Sequence, residues 1–340
     1  MNSNLDNIDS NIDNNFQFIK IKSEIYNNVL NIKYSDYLKT LNTHYYKTYI
    51  HISLLYFGLL STITINTYLT NFFSSNLANT IFFVINSLFV GLFIHGLQQA
   101  LHVGLHYELH SNKKINDKIS TILGILTGVN VKQARIIHMK HHSKHGEKDD
   151  PENSYLYPLT FYKILKFFTG VSIVQYCLNI DKNVSPDKVE DKFYKTNLLI
   201  KIKTFLTMTR IISIAVHSII FCLIYLNSNL FFALSWVYGF LTFFPFFASL
   251  LNIVEHGENK NTKIISAHSS GPINRLFENS FFSKYIYAPF GAYKHAIHHW
   301  DPTVHHNQVD QIENFLINTQ LKESIEKRKT SILKTIQAVI

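Results

Sequence analysis

Histidine is the residue type with the clearest chemical potential in this sequence. The chain of 340 residues has 18 histidines. Eight of them form three compact clusters, His102-x-x-x-His106, His138-x-x-His141-His142 and His295-x-x-His298-His299. On a helix, residues three and four positions apart share a face, so each cluster can present converging imidazoles to a metal ion. Because neutral imidazole binds Fe, Cu, Zn and Ni, the clusters predict a metal site without naming its metal.

Two of the clusters end in adjacent histidines, His141-His142 and His298-His299. Neighbouring side chains on a helix point about 100° apart. One member of each doublet can therefore serve one ion while its neighbour serves a second, and the doublets favour two ions over one. His256, which directly follows Glu255 at the end of an apolar run, is a further candidate ligand.

Two long uncharged stretches have to position these clusters. The first, from Thr48 to Tyr107, is about three times the ~20 residues that cross a ~30 Å hydrocarbon core as a helix. It predicts spans at Tyr49–Thr70 and Leu77–Gly96. The second, from Ile211 to Val254, divides at residues 227–229 into two further spans. The predicted fold is an all-α membrane protein with four transmembrane helices in two hairpins and a cytoplasmic histidine-rich cap.

Lysine and arginine orient these spans. The turns at 71–76 and 227–229 contain neither residue, whereas eight basic residues follow the first pair of spans: Lys113, Lys114, Lys118, Lys132, Arg135, Lys140, Lys144 and Lys148. The positive-inside rule then predicts that both termini and all three clusters are cytoplasmic. The net charge of +9 is concentrated in such flanking segments, which is typical of contact with anionic lipid and not of nucleic-acid binding.

Polar segments are predicted at both ends of the membrane unit. Residues 1–46 are Asn-rich and lack the basic start and apolar core of a signal peptide, so we expect a cytoplasmic segment. Residues 47–307 are expected to form the membrane domain, and 308–340 an exposed, mostly helical cytoplasmic tail. Only Cys177 and Cys222 occur, which predicts neither a disulfide framework nor a thiolate metal site.

The three clusters, in this order around two apolar hairpins, resemble the membrane fatty acid desaturase and hydroxylase superfamily. The stretch from His102 to Asp117 is similar to the family's first histidine box, HMKHHSKHGEKDDP (from His138) to its second, and HAIHHWDPTVHHN (from His295) to its third. The resemblance covers about residues 50–310. Three positions depart from the usual pattern, where an acidic residue, an aromatic residue and an apolar pair are frequent: Val103, Lys294 and Trp300-Asp301.

The resemblance implies a non-haem centre of two iron ions, O2 as co-substrate and electrons from an external cytochrome b5-like or ferredoxin-like donor. Carried over one by one, the implied iron ligands are His102, His106, His138, His141, His142, His295, His298 and His299, with His256 as the ninth. Carboxylates commonly hold the remote N–H of a ligand imidazole. Four are placed to do so here: Asp149, Asp150, Glu255 and Asp301.

The expected reaction is the introduction of a double bond into a fatty acyl chain. Hydroxylation or ketolation of an acyl, sterol or carotenoid substrate is the nearest alternative, because the same ligands and oxidant serve both outcomes. A histidine-rich metal transporter is a more distant alternative. Transporters place polar ligands near the bilayer midplane, and the predicted spans carry few of them.

The other histidines have simpler interpretations. His44, His51 and His217 lie at the start of a span or within one and are interpreted as structural. His95 lies near the cytoplasmic end of its predicted span and stays ambiguous between the site and a residue that only hydrogen-bonds a neighbour. His110 could replace His102 in the first cluster, although His102 is favoured. The remainder are interpreted as surface or outer residues: His145, His268, His305 and His306.

Overall fold

The computed structural model describes residue 22 and residues 24–69, 76–145, 150–152, 160–169, 207–257 and 274–339. These residues are mostly helical, and their strands form two short two-stranded sheets. The prediction of a helical protein is confirmed for this part of the chain. Near the N-terminus, β1 (Tyr26–Asn27) pairs antiparallel with β2 (Ile32–Lys33), and helix α1 (Tyr34–Thr40) follows directly.

The first two long helices are α2 (Tyr45–Leu69) and α3 (Asn76–Leu105). Among the described residues between α3 and the next long helix there are three shorter helices, α4 (Lys113–Thr127), α5 (Val131–Lys144) and α6 (Phe161–Phe168). Local sequence explains the boundaries of α4 and α5. The side chains of Asn112 and Asn130 accept hydrogen bonds from the first turns of these helices, and Gly128 ends α4 at a φ of 72° that suits glycine.

The second pair of long helices begins with α7 (Met208–Asn227). It continues with α8 (Leu230–Tyr238), a five-residue π-helix (Gly239–Phe243) and α9 (Phe244–His256), which follow one another without a break. The wide turn precedes Pro245, whose ring lacks an N–H and clashes with the carbonyl four residues earlier in a regular helix. The backbone N–H of Phe244 instead donates to Gly239, five residues back.

Within the described part of the chain, four helical segments are long and apolar enough to cross a membrane, the number that the sequence predicts: Tyr45–Ile65, Leu77–Leu105, Met208–Asn227 and Leu230–His256. The second continues past the predicted end at Gly96, so His102 lies within the helix and not beyond it. The pairing of the spans into hairpins and their cytoplasmic side stay predictions.

The C-terminal part carries the third histidine cluster. After β3 (Leu276–Phe277) and a π-helix (Phe282–Tyr287), a short 3-10 turn leads into α10 (His295–Trp300). The chain then forms α11 (Val309–Leu316), α12 (Lys322–Arg328), β4 (Lys329–Thr330) and α13 (Ile332–Val339). Strand β4 pairs in parallel with β3, which returns the end of the chain to the third cluster.

The prediction of an exposed tail was wrong. Phe315 and Leu316 on α11 and Ile332 on α13 are buried in the same hydrophobic cluster as Tyr34 from the N-terminal segment. Helix α11 is strongly amphipathic, with apolar residues three and four positions apart, and its apolar face needs a partner surface. Both terminal segments are therefore part of the body that surrounds the third cluster.

Close backbone contact between α3 and the π-helix sets the packing of the apolar helices. A Cβ atom on Gly239 would lie 2.6 Å from the carbonyl oxygen of Ser87 and 2.8 Å from Cβ of Val90, inside van der Waals contact. Gly239 therefore allows an approach that a larger residue would prevent.

Replacing Gly239 with Val should force these helices apart. Overpacking of this kind costs about 1–3 kcal/mol, so we expect Gly239→Val to lower the melting temperature of the purified protein in detergent. Leu241→Val is the matched control, because the Leu241 side chain is exposed and close to the same turn. Equal melting temperatures for the two variants would contradict the proposed close packing.

Candidate metal centre

One arginine joins the two helices, α3 and α5, that position the first two histidine clusters. His102 is in the last turn of α3, His106 directly follows that helix, and His138 is buried on α5. Arg135 donates hydrogen bonds of 3.0 and 3.1 Å to the carbonyl oxygens of the last two residues of α3. Carbonyl groups at a helix C-terminus have no partner within the helix. The arginine therefore fixes α5 against the end of α3.

A first group of imidazoles converges where these helices meet α10. Its members are His102, His106, His138, His142 and His298, and their ligand nitrogens all lie within 4.8 Å of one another. The Nε2 atom of His138 is 2.9 Å from that of His102, 2.8 Å from that of His106 and 3.0 Å from that of His142. His142 is in turn 3.1 Å from His298 between the same atoms.

These short distances fit a shared cation better than a set of hydrogen bonds. A neutral imidazole carries one hydrogen on its two nitrogens, so the three contacts of His138 Nε2 cannot all be hydrogen bonds. Two nitrogen ligands at right angles, each about 2.1 Å from an ion, are about 3.0 Å apart. The donor set and its spacing therefore suit a metal ion with nitrogen ligands.

A second group lies directly beside the first. His141, His145, His256 and His299 also have ligand nitrogens within 4.8 Å of one another. The Nε2 atom of His295 is 2.9 Å from that of His256, which adds a fifth imidazole at the edge of this group. The second group thus draws on α5, the end of α9 and α10.

The two doublets divide between the groups as the helical period suggests. His142 and His298 belong to the first group, whereas their neighbours His141 and His299 belong to the second. All nine ligand candidates from the sequence lie in the two groups. His110 lies outside both and stacks on the ring of Tyr45, so the structure places His102 and not His110 beside His138.

His145 is the residue of this site that sequence reasoning missed. It was interpreted as an outer residue, but its ring centroid lies 4.2 Å from that of His299 and 4.6 Å from that of His256. The spacing contained a signal, because His145 follows His141 by four positions and continues the same helical face. The sequence did not reveal that α5 extends to Lys144.

Polar side chains bind the remote nitrogens of several of these imidazoles. Asp150 accepts a hydrogen bond from Nδ1 of His141 at 2.8 Å. Glu255 lies 3.3 Å from Nδ1 of His295, but these two atoms make no hydrogen bond. Two partners were not predicted: Glu152 lies 3.4 Å from Nδ1 of His138, and Asn274 lies 2.8 Å from Nδ1 of His256. Such contacts fix the tautomer that leaves the other nitrogen available to a metal.

The other two predicted carboxylates have different outcomes. Asp149 lies outside the described residues. The carboxylate of Asp301 was expected beside a ligand imidazole, but it instead forms an ion pair with Lys22 at 2.7 Å and accepts hydrogen bonds from the hydroxyl groups of Tyr34 and Thr303. The reason is that α10 ends before Asp301, and the chain there turns towards the N-terminal segment.

Burial disfavours the protonation of several histidines of this site. Desolvation, and then repulsion from neighbouring imidazoles, holds the pKa values of His138, His298 and His299 well below the usual range. Burial likewise lowers the pKa of His145 to about 3. Unprotonated imidazole is the form that binds metal, so the site is prepared for cations at neutral pH.

A third buried cluster next to the site consists of Glu108, His305 and His306. The Glu108 carboxylate accepts hydrogen bonds from the backbone N–H of His306 at 2.7 Å and from Nδ1 of its ring at 3.0 Å. Nε2 of His306 lies 2.8 Å from the hydroxyl of Thr48. Both histidines are buried, contrary to the surface role expected from the sequence. Their ring contacts are ordinary hydrogen bonds that connect α2, the end of α3 and the chain after α10.

Three other histidines, His51, His95 and His217, contact backbone carbonyl groups through Nε2. His95 is buried and its Nε2 lies 2.9 Å from the carbonyl oxygen of Tyr287, while His217 makes the same kind of contact at 3.0 Å with Leu126. His51 contacts the carbonyl of Tyr285. His268 lies outside the described residues.

Comparison with known proteins agrees with this arrangement. The fatty acid desaturase family model matches residues 78–326, most of the 340-residue chain and all three histidine clusters. The chain belongs to the fatty acid desaturase family. No curated protein matches it. Family membership places the chain in the class of desaturase-like membrane oxidoreductases that act on lipid substrates. It also makes iron the expected metal of the two histidine groups.

Replacing Asp150 with Asn should weaken metal binding at the second group. Loss of a carboxylate that holds a ligand imidazole typically costs 10–100-fold in metal affinity, so we expect a loss of about that size in a competition assay with a chelator. Asp36→Asn is the matched control, because Asp36 is exposed on α1 and pairs with Lys39 of the same helix. Equal affinity in both variants would refute the role assigned to Asp150.

Acid should destabilise the metal-free protein over a defined range. An unfolded chain takes up protons at its histidines as the pH falls below about 6.5, whereas the buried imidazoles, with lowered pKa values, do not. The contribution of these histidines to the free energy of unfolding is therefore fully present above about pH 6.5, and it is lost as the pH falls towards their pKa values in the folded protein. These are about 4 for His305 and about 3 for His306. Melting temperatures of chelator-treated protein between pH 7 and 4 test this, and a flat profile would contradict it.

Proposed function

We propose that this chain is an O2-dependent di-iron oxidoreductase that introduces a double bond into a fatty acyl chain. One observation carries the proposal: two adjoining groups of buried imidazoles lie at the ends of helices long enough to cross a membrane. In this proposal His102, His106, His138, His142 and His298 bind one iron ion. His141, His256, His295 and His299 bind the other, and His145 is an additional ligand at that ion.

Iron in such a site supplies the activation of O2 and the removal of hydrogen from an unactivated methylene group. The protein supplies neutral imidazoles, which can donate to the metal because burial disfavours their protonation. Asp150 and Glu152 hold remote nitrogens of these imidazoles and bring negative charge close to the ions. This compensation matters because two buried cations without nearby anions would be strongly disfavoured.

A small cavity lies beside the first group. It is lined by the histidines His102, His295, His298 and His306 and by apolar residues that include Val103, Phe290 and Val304. It has room for about one water-sized molecule. We assign this space to a small reactant such as O2, since an acyl chain needs a much longer channel.

The membrane context supports a lipid substrate. The outer faces of the long helices carry exposed apolar side chains such as Leu54, Phe57 and Leu223, as contact with lipid requires. We propose that both termini and the metal site are cytoplasmic, that residues 47–307 form the catalytic membrane domain, and that a separate cytochrome b5-like or ferredoxin-like protein supplies electrons.

Lipid profiling of cells that express the chain tests the reaction. In the presence of O2 we expect new acyl chains that have two hydrogen atoms fewer than their precursors. Cells with the His102→Ala variant should lack these products. His110→Ala is the matched control and should retain the product, because His110 lies outside both groups. Products that gain one oxygen atom would indicate hydroxylation or ketolation instead of desaturation. Metal uptake into vesicles without any altered lipid would indicate a transporter.

A further inference from the structure

Lys294 is a buried cation that directly precedes the third histidine cluster. Its side chain is only 4% exposed. The ammonium group forms an ion pair with Oε2 of Glu313 on α11 at 2.7 Å and donates a hydrogen bond to the carbonyl oxygen of Phe277 on β3 at 2.8 Å. A single side chain thus attaches the start of α10 to two different segments of the C-terminal part.

A second restraint acts on the same turn. The backbone N–H of Ala296 donates to the carbonyl oxygen of Arg275 at 3.1 Å, and Arg275 itself donates to the carbonyl of Val254 at 2.8 Å. Val254 is two residues before His256 on α9. His295 is therefore flanked by Lys294 and Ala296, both of which are bonded to other segments of the chain.

Stability alone does not explain this ion pair. Transfer of an ammonium and a carboxylate from water to the interior is costly, and apolar residues of similar volume often stabilise a protein equally well or better. An ion pair with an added carbonyl acceptor does provide direction, because its hydrogen bonds fix distance and angle, which apolar contacts do not. The adjacent ligand candidate, His295, needs such a fixed orientation.

We propose that Lys294 and Glu313 are positioning residues that hold His295 in its metal-binding orientation, so that metal retention depends on helix α11. The proposal rests on the metal-binding part of the proposed function. The Nε2 atom of His295 is 2.9 Å from that of His256, while its Nδ1 atom lies 3.3 Å from Glu255. A small rotation at the start of α10 would alter both distances and would move His298 and His299 with them.

The test is a comparison of two double variants of the full-length protein, purified in detergent and loaded with ferrous iron. Lys294→Met/Glu313→Met removes both charges of the pair and leaves neither charge alone in the interior. The control is Lys284→Met/Asp310→Asn, which removes the 2.6 Å ion pair between Lys284 and the same helix α11. Asparagine at 310 retains an acceptor for the hydroxyl of Tyr293, which bonds to Asp310.

The readout is the rate of iron release to a chelator, with the melting temperature recorded for each protein. We expect release from Lys294→Met/Glu313→Met to be about 10-fold faster than from the control, the scale of effect for groups that orient metal ligands. The difference should persist when the two proteins are compared at the same interval below their melting temperatures, which a purely structural role would not produce. Equal release rates at that interval would overturn the proposal.

Iron release requires no lipid substrate, and it therefore separates this inference from the proposed reaction. A wild-type protein that retains iron but yields no altered lipid would refute the reaction and leave the positioning role intact. Altered lipid together with equal iron release from the two double variants would refute the positioning role alone.

Discussion

The close packing of imidazoles is the constraint on which the rest of this structure depends. Each neutral ring has one hydrogen, so the nitrogen pairs 2.8–3.1 Å apart cannot all be hydrogen bonds, and the remaining pairs repel one another unless a cation lies between them. Protonation would add charge repulsion, and burial opposes it. The arrangement therefore favours neutral rings that bind metal ions, with carboxylates nearby. The helices and polar side chains around the site provide these conditions.

Helix ends bring the imidazoles together. The clusters lie at the end of α3, along α5, at the end of α9 and on α10, which are far apart in sequence. Long apolar helices fix these ends in space, and close contacts such as that of Gly239 with Ser87 reduce the distance between them. Polar anchors then set local orientation: Arg135 at the end of α3, and Asp150 and Asn274 on the imidazoles themselves.

Features of this particular chain lie mostly around the third cluster. Its terminal segments enclose α10 through the buried cation Lys294 on one side and the Asp301–Tyr34 hydrogen bond on the other. The buried Glu108–His306 contact connects the chain after α10 with the residues that follow the first cluster. These contacts use charged or polar groups that are buried beside the third cluster.

The sequence by itself determined the properties that depend on local spacing. Hydrophobic length gave four spans, and the 3.6-residue period gave the division of His141-His142 and His298-His299 between two groups. Only the tertiary structure decided that His145 belongs to the site, that Asp301 binds Tyr34, and that α11 is buried. These outcomes depend on contacts between residues hundreds of positions apart, such as Tyr34 and Asp301. Such contacts leave no periodic signal in a single sequence, because the energy of burial and of ion pairs depends on which surfaces meet after folding.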